Sequence, residues 1–152
     1  MQQVEDLIKV VQEAKTGGNI VVITGKPGSG KSKVLREAAQ QEKWVYVDCR
    51  ELITERFLSI PAADRGLYAP DMFLEDLKVY DNDVVVLDNL QTLFVPVFHI
   101  NTDSLMRKLS KHMTILTAWP GYVDGGMLCY DKFDGSEAIR ISPDGFKIFN
   151  IQ

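Results

Sequence analysis

Apolar and polar positions divide the chain into two regions with different periods. Up to residue 118, short continuous apolar runs alternate with segments whose apolar residues recur every three to four positions. The runs predict strands buried on both faces, and the periodic segments predict helices buried on one. Val4, Leu7, Ile8, Val10 and Val11 form a helical stripe closed by Gly17 and Gly18. Residues 20–23 predict a buried strand, and Val34, Leu35, Ala38 and Ala39 then share a helix face opposite Lys33, Arg36, Glu37 and Gln40. Residues 44–47 read as a short strand ending at Asp48, and residues 51–58 as a helix stopped by Pro61. Residues 62–69 read as a loop, and Pro70 and Asp71 as the start of a helix with Met72, Phe73 and Leu77 inward. A second apolar strand covers residues 84–87. A helix follows over about residues 103–111, with Asn101 or Thr102 as its cap, then a strand over residues 113–118.

From Gly121 onward the pattern changes. Residues 127–130 and 138–141 read as strands flanking a turn-rich stretch over 131–136, and residues 146–151 follow a Pro143-Asp144-Gly145 turn. We read this end as two or three short antiparallel strands. Strand and helix alternate before it, which argues for a parallel α/β sheet with ligands bound at the carboxyl edge of its strands.

Composition narrows the classes. The 152 residues suit one domain, large enough to bury roughly 70% of its unfolded surface without disulfides. A formal charge of −4 gives no global attraction to nucleic acid, so contact with DNA is expected only through an oligomer or a partner. Cys49 and Cys129 lie far apart, without metal or redox spacing, and predict reduced thiols. The first helix is interrupted by charges and resembles no secretory leader, and no apolar run is long enough to span a bilayer. A soluble cytoplasmic protein with no membrane attachment is the expectation.

The chemistry is concentrated where strand meets helix. Gly25-Lys26-Pro27-Gly28-Ser29-Gly30-Lys31-Ser32 is a complete G-x-x-x-x-G-K-S phosphate loop, set between the strand over 20–23 and the helix that begins near Lys31. Its glycines let successive N–H groups converge, and the positive end of the helix meets them. Such a site takes a polyphosphate. Lys31 is expected to reach the β and γ phosphates of ATP, Ser32 to ligate Mg2+, and residues from Gly25 to Lys33 to form the cradle. The expected fold is therefore an α/β P-loop NTPase of AAA-like type: a parallel sheet with helices on both faces, a short antiparallel segment at the C-terminal end, and no helical lid.

The apolar run over residues 84–87 ends in Asp88, the pattern of the strand that supports magnesium in phosphate-loop NTPases. The next residue is Asn89, where many hydrolysing relatives carry a Glu. An amide orients water but cannot accept its proton. Slow turnover, or nucleotide sensing without hydrolysis, is thus the expectation, with Gln91 or Asp48 as alternative water-positioning groups. Thr117 stands at the end of the next strand, where a polar residue would contact the γ-phosphate. Arg107, in a basic cluster with Lys108, Lys111 and His112, is the leading choice for a charge supplied in trans to a neighbouring subunit, with Arg50, Arg56 and Arg65 as alternatives.

Taken together, the phosphate loop, the helix R-E-L-I-T-E-R-F-L, the segment D-V-V-V-L-D-N-L-Q-T-L-F, and L-S-K-H-M-T-I-L-T-A-W-P-G followed by D-G-G-M-L-C-Y resemble BrxF, a small P-loop ATPase family of bacterial BREX phage-defence systems. The L-D-N-L-Q stretch is also similar to the equivalent strand of replication-initiator and helicase-loader ATPases. The first resemblance implies an antiviral-defence ATPase that acts with other BREX proteins, and it extends a nucleotide-site role to residues 25–32, Asp88 and Asn89. The functional expectation is an ATP-binding, weakly hydrolysing subunit that self-assembles. Two alternatives belong to other classes: a small-molecule or nucleotide kinase, and a non-hydrolysing nucleotide-binding interaction module.

Overall fold

The computed structural model describes residues 2–15, 20–131 and 139–151. Gly17, Gly18, the turn over 132–136 and Ala138 lie outside the described residues. Five strands form the main sheet: β1 (Ile20–Thr24), β2 (Val45–Asp48), β3 (Val84–Asp88), β4 (Thr114–Ala118) and β8 (Phe146–Asn150), in the order β2-β3-β4-β1-β8. All four pairings are parallel. Strands β5 (Tyr122–Asp124), β6 (Met127–Tyr130) and β7 (Ile139–Ile141) form a separate antiparallel sheet.

Alternation along the strands divides the core into two layers. In β1, Val21 and Ile23 face helices α1 (Gln2–Ala14) and α2 (Lys31–Glu42), while Ile20 and Val22 face α4 (Arg65–Lys78) and α5 (Thr102–Leu109). Both faces being covered explains why β1, β3 and β4 are buried at every position and read as unbroken apolar runs. Leu128 and Ile141 of the small sheet join the second layer.

Three expectations about elements are corrected. Residues 146–151 are not a third antiparallel strand: β8 lies parallel to β1, with Phe146 opposite Ile20 and Asn150 opposite Thr24. The helix expected over 51–58 is two pieces, a 3₁₀ turn at Cys49–Leu52 and α3 (Glu55–Leu58), because Asp48 and Thr54 each cap a fresh start by accepting from Arg50 N and Phe57 N. Helix α4 begins at Arg65, five residues before Pro70. Proline removes one backbone donor, but the Ala69, Phe73 and Leu77 stripe is fully buried. That burial outweighs the lost bond. Arg65 anchors the start by donating to the carbonyls of Leu58, Ile60 and Val97.

Candidate functional site

The loop between β1 and α2 is built by local geometry. Gly28 and Gly30 take φ 79° and 93°, the left-handed region that glycine enters without steric cost. Ser29 N donates to Lys26 O at 3.0 Å, closing the turn. Gly25 is required for a different reason. A Cβ there would meet Ser29 Oγ at 2.8 Å and Ile151 O at 2.9 Å, so the loop packs directly on the end of β8. The first helical bond of α2 is Val34 N to Gly30 O at 3.0 Å, which leaves the N–H groups of Lys31, Ser32 and Lys33 ahead of the helix's own acceptors. These amides and the helix's positive end suit an anion. Ser29 Oγ is buried with no hydrogen-bond partner, a polar atom left for a ligand oxygen.

Lys31 arches back over the loop, its Nζ donating to Gly25 O at 2.8 Å and Lys26 O at 3.3 Å. Partial burial lowers its pKa from the ordinary lysine value. Phosphate oxygens are stronger acceptors for an ammonium than these carbonyls. The Lys33 ammonium points instead toward Glu37, 4.0 Å away along the helix, so its contribution to the cradle is its backbone N–H.

The carboxyl edge of β3 brings the second motif to the loop. Asp88 is buried, and its Oδ1 accepts from Ser32 Oγ and from Asn89 N, each at 2.9 Å. Its Oδ2 accepts the hydroxyl of Tyr46. Burial, and then the bond to Asp88, raise the Tyr46 pKa, so that hydroxyl keeps its proton for the carboxylate. Tyr46 was not foreseen from the sequence. The available signal was that two short strands each end in Asp: Asp48 and Asp88 are register partners, which sets Tyr46 two residues back on the neighbouring strand.

Asn89 adopts φ 57° and ψ 46°, a left-handed conformation that Asn tolerates better than most residues. Its Nδ2 donates to Asp48 Oδ2 at 2.7 Å, and Gln91 Nε2 reaches its Oδ1 at 3.4 Å. Asp48 is gripped by the Arg50 guanidinium, with contacts of 2.6 to 3.0 Å. The Arg50 bonds, joined by the Asn89 amide, bring Asp48 down to about 2. A carboxylate so depressed is a weak proton acceptor at neutral pH. Because the folded-state value lies below the unfolded value of about 3.9, this grip contributes stability above that value and loses it as pH falls through about 2. Asp48→Asn is accordingly expected to flatten the acid limb of an unfolding curve between about pH 4 and pH 2, followed by circular dichroism.

Two expected site residues have their polar groups engaged by their own chain. Thr117 is wholly buried in β4, and its hydroxyl donates to Leu87 O at 2.7 Å, so it satisfies the sheet. Arg107 offers no free guanidinium: Nε donates to Asp103 Oδ1 at 2.7 Å, the two terminal nitrogens to Asp144 O and Ser142 O, and the group sits 4.7 Å over the Phe146 ring. Phe146 pairs with Ile20, at the opposite end of β1 from the phosphate loop. The residue ties α5 to the turn before β8. Arg50, Arg56 and Arg65 are likewise engaged within their own chain, by Asp48, by Glu75 and Asp76, and by backbone carbonyls. Arg107→Ala is expected to lower stability by about 1–2 kcal/mol, mainly through the backbone acceptors and the ring contact, while leaving ATP affinity unchanged. Thermal unfolding and nucleotide titration on the same variant check this.

No cluster of His, Cys, Asp and Glu that could hold a metal alone occurs among the described residues. Ser32 and Asp88 instead offer hard oxygens side by side at the loop. That set fits a magnesium ion completing its shell with phosphate oxygens and water. Among the described residues no helix is long and apolar enough to cross a membrane.

The model for the viral superfamily 1 RNA helicase core domain matches residues 21–116, more than half of the chain, from within the phosphate-loop strand β1 into β4. The chain belongs to that family. It is a nucleotide-binding P-loop NTPase domain of α/β architecture. A search among curated proteins finds no match. Among solved structures, a chain from work on the structural basis for katanin self-assembly is 18% identical, with a TM-score of 0.41, over 74% of this chain and 38% of that one. A DNA replication initiation factor is 19% identical, with a TM-score of 0.46, over 97% of this chain and 44% of that one. The chain spans less than half the length of either.

Proposed function

We propose that this chain is the ATP-binding, slowly hydrolysing P-loop subunit of a bacterial BREX anti-phage system, and that its nucleotide state controls assembly with itself or with partner proteins. The observation that carries the nucleotide part is the meeting of Ser32 and Asp88 at 2.9 Å beside the loop cradle. In this reading Lys31 and the amides of residues 31–33 hold the triphosphate. Ser32 and Asp88 hold Mg2+, which when bound supplies charge neutralisation at the phosphates. Asn89 stands where a carboxylate base would take the proton of the attacking water, and its amide cannot take it. Slow turnover follows from what surrounds that water: an amide, and an Asp48 carboxylate already committed to Arg50.

The BREX assignment rests on the L-D-N-L-Q and T-A-W-P-G segments quoted above, and the identities of neighbouring genes test it directly. Since Arg107 is spent on its own chain, we place control of assembly in the nucleotide-bound loop and its rim, with no trans arginine from α5. Phosphate release measured over a range of protein concentrations, beside sedimentation velocity with a slowly hydrolysed ATP analogue, tests this. Turnover and mass should rise together with ATP. A monomer with or without analogue would remove self-assembly and leave the non-hydrolysing interaction module, which Asn89 favours, as the better account.

A further inference from the structure

A cleft of about 520 Å³ opens beside the phosphate loop, on the side away from Asp88. We propose that it seats the purine base and ribose of the bound nucleotide, with Tyr122 as the stacking platform and Asn150 as the polar contact; this rests on the triphosphate reading above. Thr24, Gly25, Lys26 and Pro27 line it together with Tyr122, Asn150 and Ile151. The size lies within the range of about 300–1,000 Å³ usual for small-ligand sites, and the lining is mostly apolar with few polar groups, as such sites are.

Strand order fixes the direction of the ligand. The loop follows β1, with β4 and then β3 on one side and β8 on the other. A triphosphate whose terminal end lies at Ser32 and Asp88 therefore extends its nucleoside end toward β8, where the cleft is. Tyr122 is 44% exposed although it is a large aromatic residue, and its ring packs on no other ring among the described residues. The ring is nonetheless held, because its hydroxyl donates to Asp131 Oδ1 at 2.8 Å.

The strand beneath it is equally fixed. Trp119 Nε1 donates to Cys129 O at 2.8 Å, and a Cβ on Gly121 would lie 1.9 Å from the same oxygen, so the β5–β6 hairpin packs against Gly121 with no slack. A rigid, open aromatic face next to a phosphate cradle is suited to stack a base. Asn150 Oδ1 takes the Thr24 hydroxyl at 3.1 Å, which turns the amide so that its Nδ2 donors are what it offers an acceptor on the base or ribose.

Calorimetry with two probes, magnesium–ATP and inorganic tripolyphosphate, separates this proposal from the reading beneath it. The wild type should bind ATP more tightly than tripolyphosphate. Tyr122→Ala should weaken ATP roughly tenfold and leave tripolyphosphate unchanged, while Tyr122→Phe should keep ATP close to wild type. Equal affinity of the wild type for the two probes, or ATP binding unmoved in Tyr122→Ala, would overturn the base site and leave the phosphate site standing. A parallel loss of both probes in Tyr122→Ala would also overturn it, by showing that the tyrosine merely supports the hairpin. A folded wild type that binds neither probe would overturn both readings.

Discussion

Replacing Lys31 by Ala is expected to lower ATP affinity by about 100-fold or more while the melting temperature stays within a few degrees of wild type. The ammonium has no role in the core: its partners are two loop carbonyls, Gly25 O and Lys26 O, which water can satisfy once the side chain is gone. Charge-assisted bonds to phosphate are a different matter, each worth about 1.5–3 kcal/mol, and two of them account for the expected loss. Partial burial also holds Lys31 below its ordinary pKa, a shift that a bound polyanion would offset by favouring the charged ammonium. Isothermal titration with magnesium–ATP beside a thermal scan reads both quantities. Unchanged affinity in this variant would remove the phosphate role of the loop.

Asn89→Glu is expected to raise phosphate release by about 10²–10⁴-fold, the range a positioned carboxylate base contributes. Asn89→Ala should stay within a few-fold of wild type. Glu is preferred to Asp because the Asn89 amide lies 2.7 Å from Asp48 Oδ2. A carboxylate on the shorter side chain would face that oxygen directly, whereas the longer one can pass it. The substitution has a cost, since position 89 is left-handed and Asn suits it better than Glu, on the order of 1 kcal/mol. Steady-state release of phosphate under saturating ATP is the measurement. Loss of the wild-type rate in Asn89→Ala would mean that the amide is itself the water-positioning group on which turnover depends.

The parts of the structure legible in the sequence are those whose cause is local. A left-handed Gly30, a helix beginning at Lys31 and an apolar strand ending at Asp88 each follow from residues within one turn or one strand of one another. What stayed hidden depends on partners distant in the chain. Arg107 sits in a basic run on an amphipathic helix, and nothing in that run announces acceptors at Ser142 and Asp144. Residues 146–150 carry the same pattern whether they extend a hairpin or join β1. The choice is made by Ile20 to Thr24 across the molecule.

Thr117 shows the same limit at the site itself. A threonine at a strand end looks equally polar whether it meets a phosphate or the Leu87 carbonyl beside it. Pro70 shows a local rule overruled, since its preference to start a helix yields to the burial of Ala69, Phe73 and Leu77.

Whether the phosphate loop holds ATP and turns it over slowly is decided by a single-turnover experiment with wild-type protein in excess over labelled ATP and magnesium. ATP should be retained on the protein and converted to ADP at a rate far below the enzyme median of about 10 s⁻¹. No retention of ATP by folded protein, or conversion at or above that rate, would contradict the proposed function.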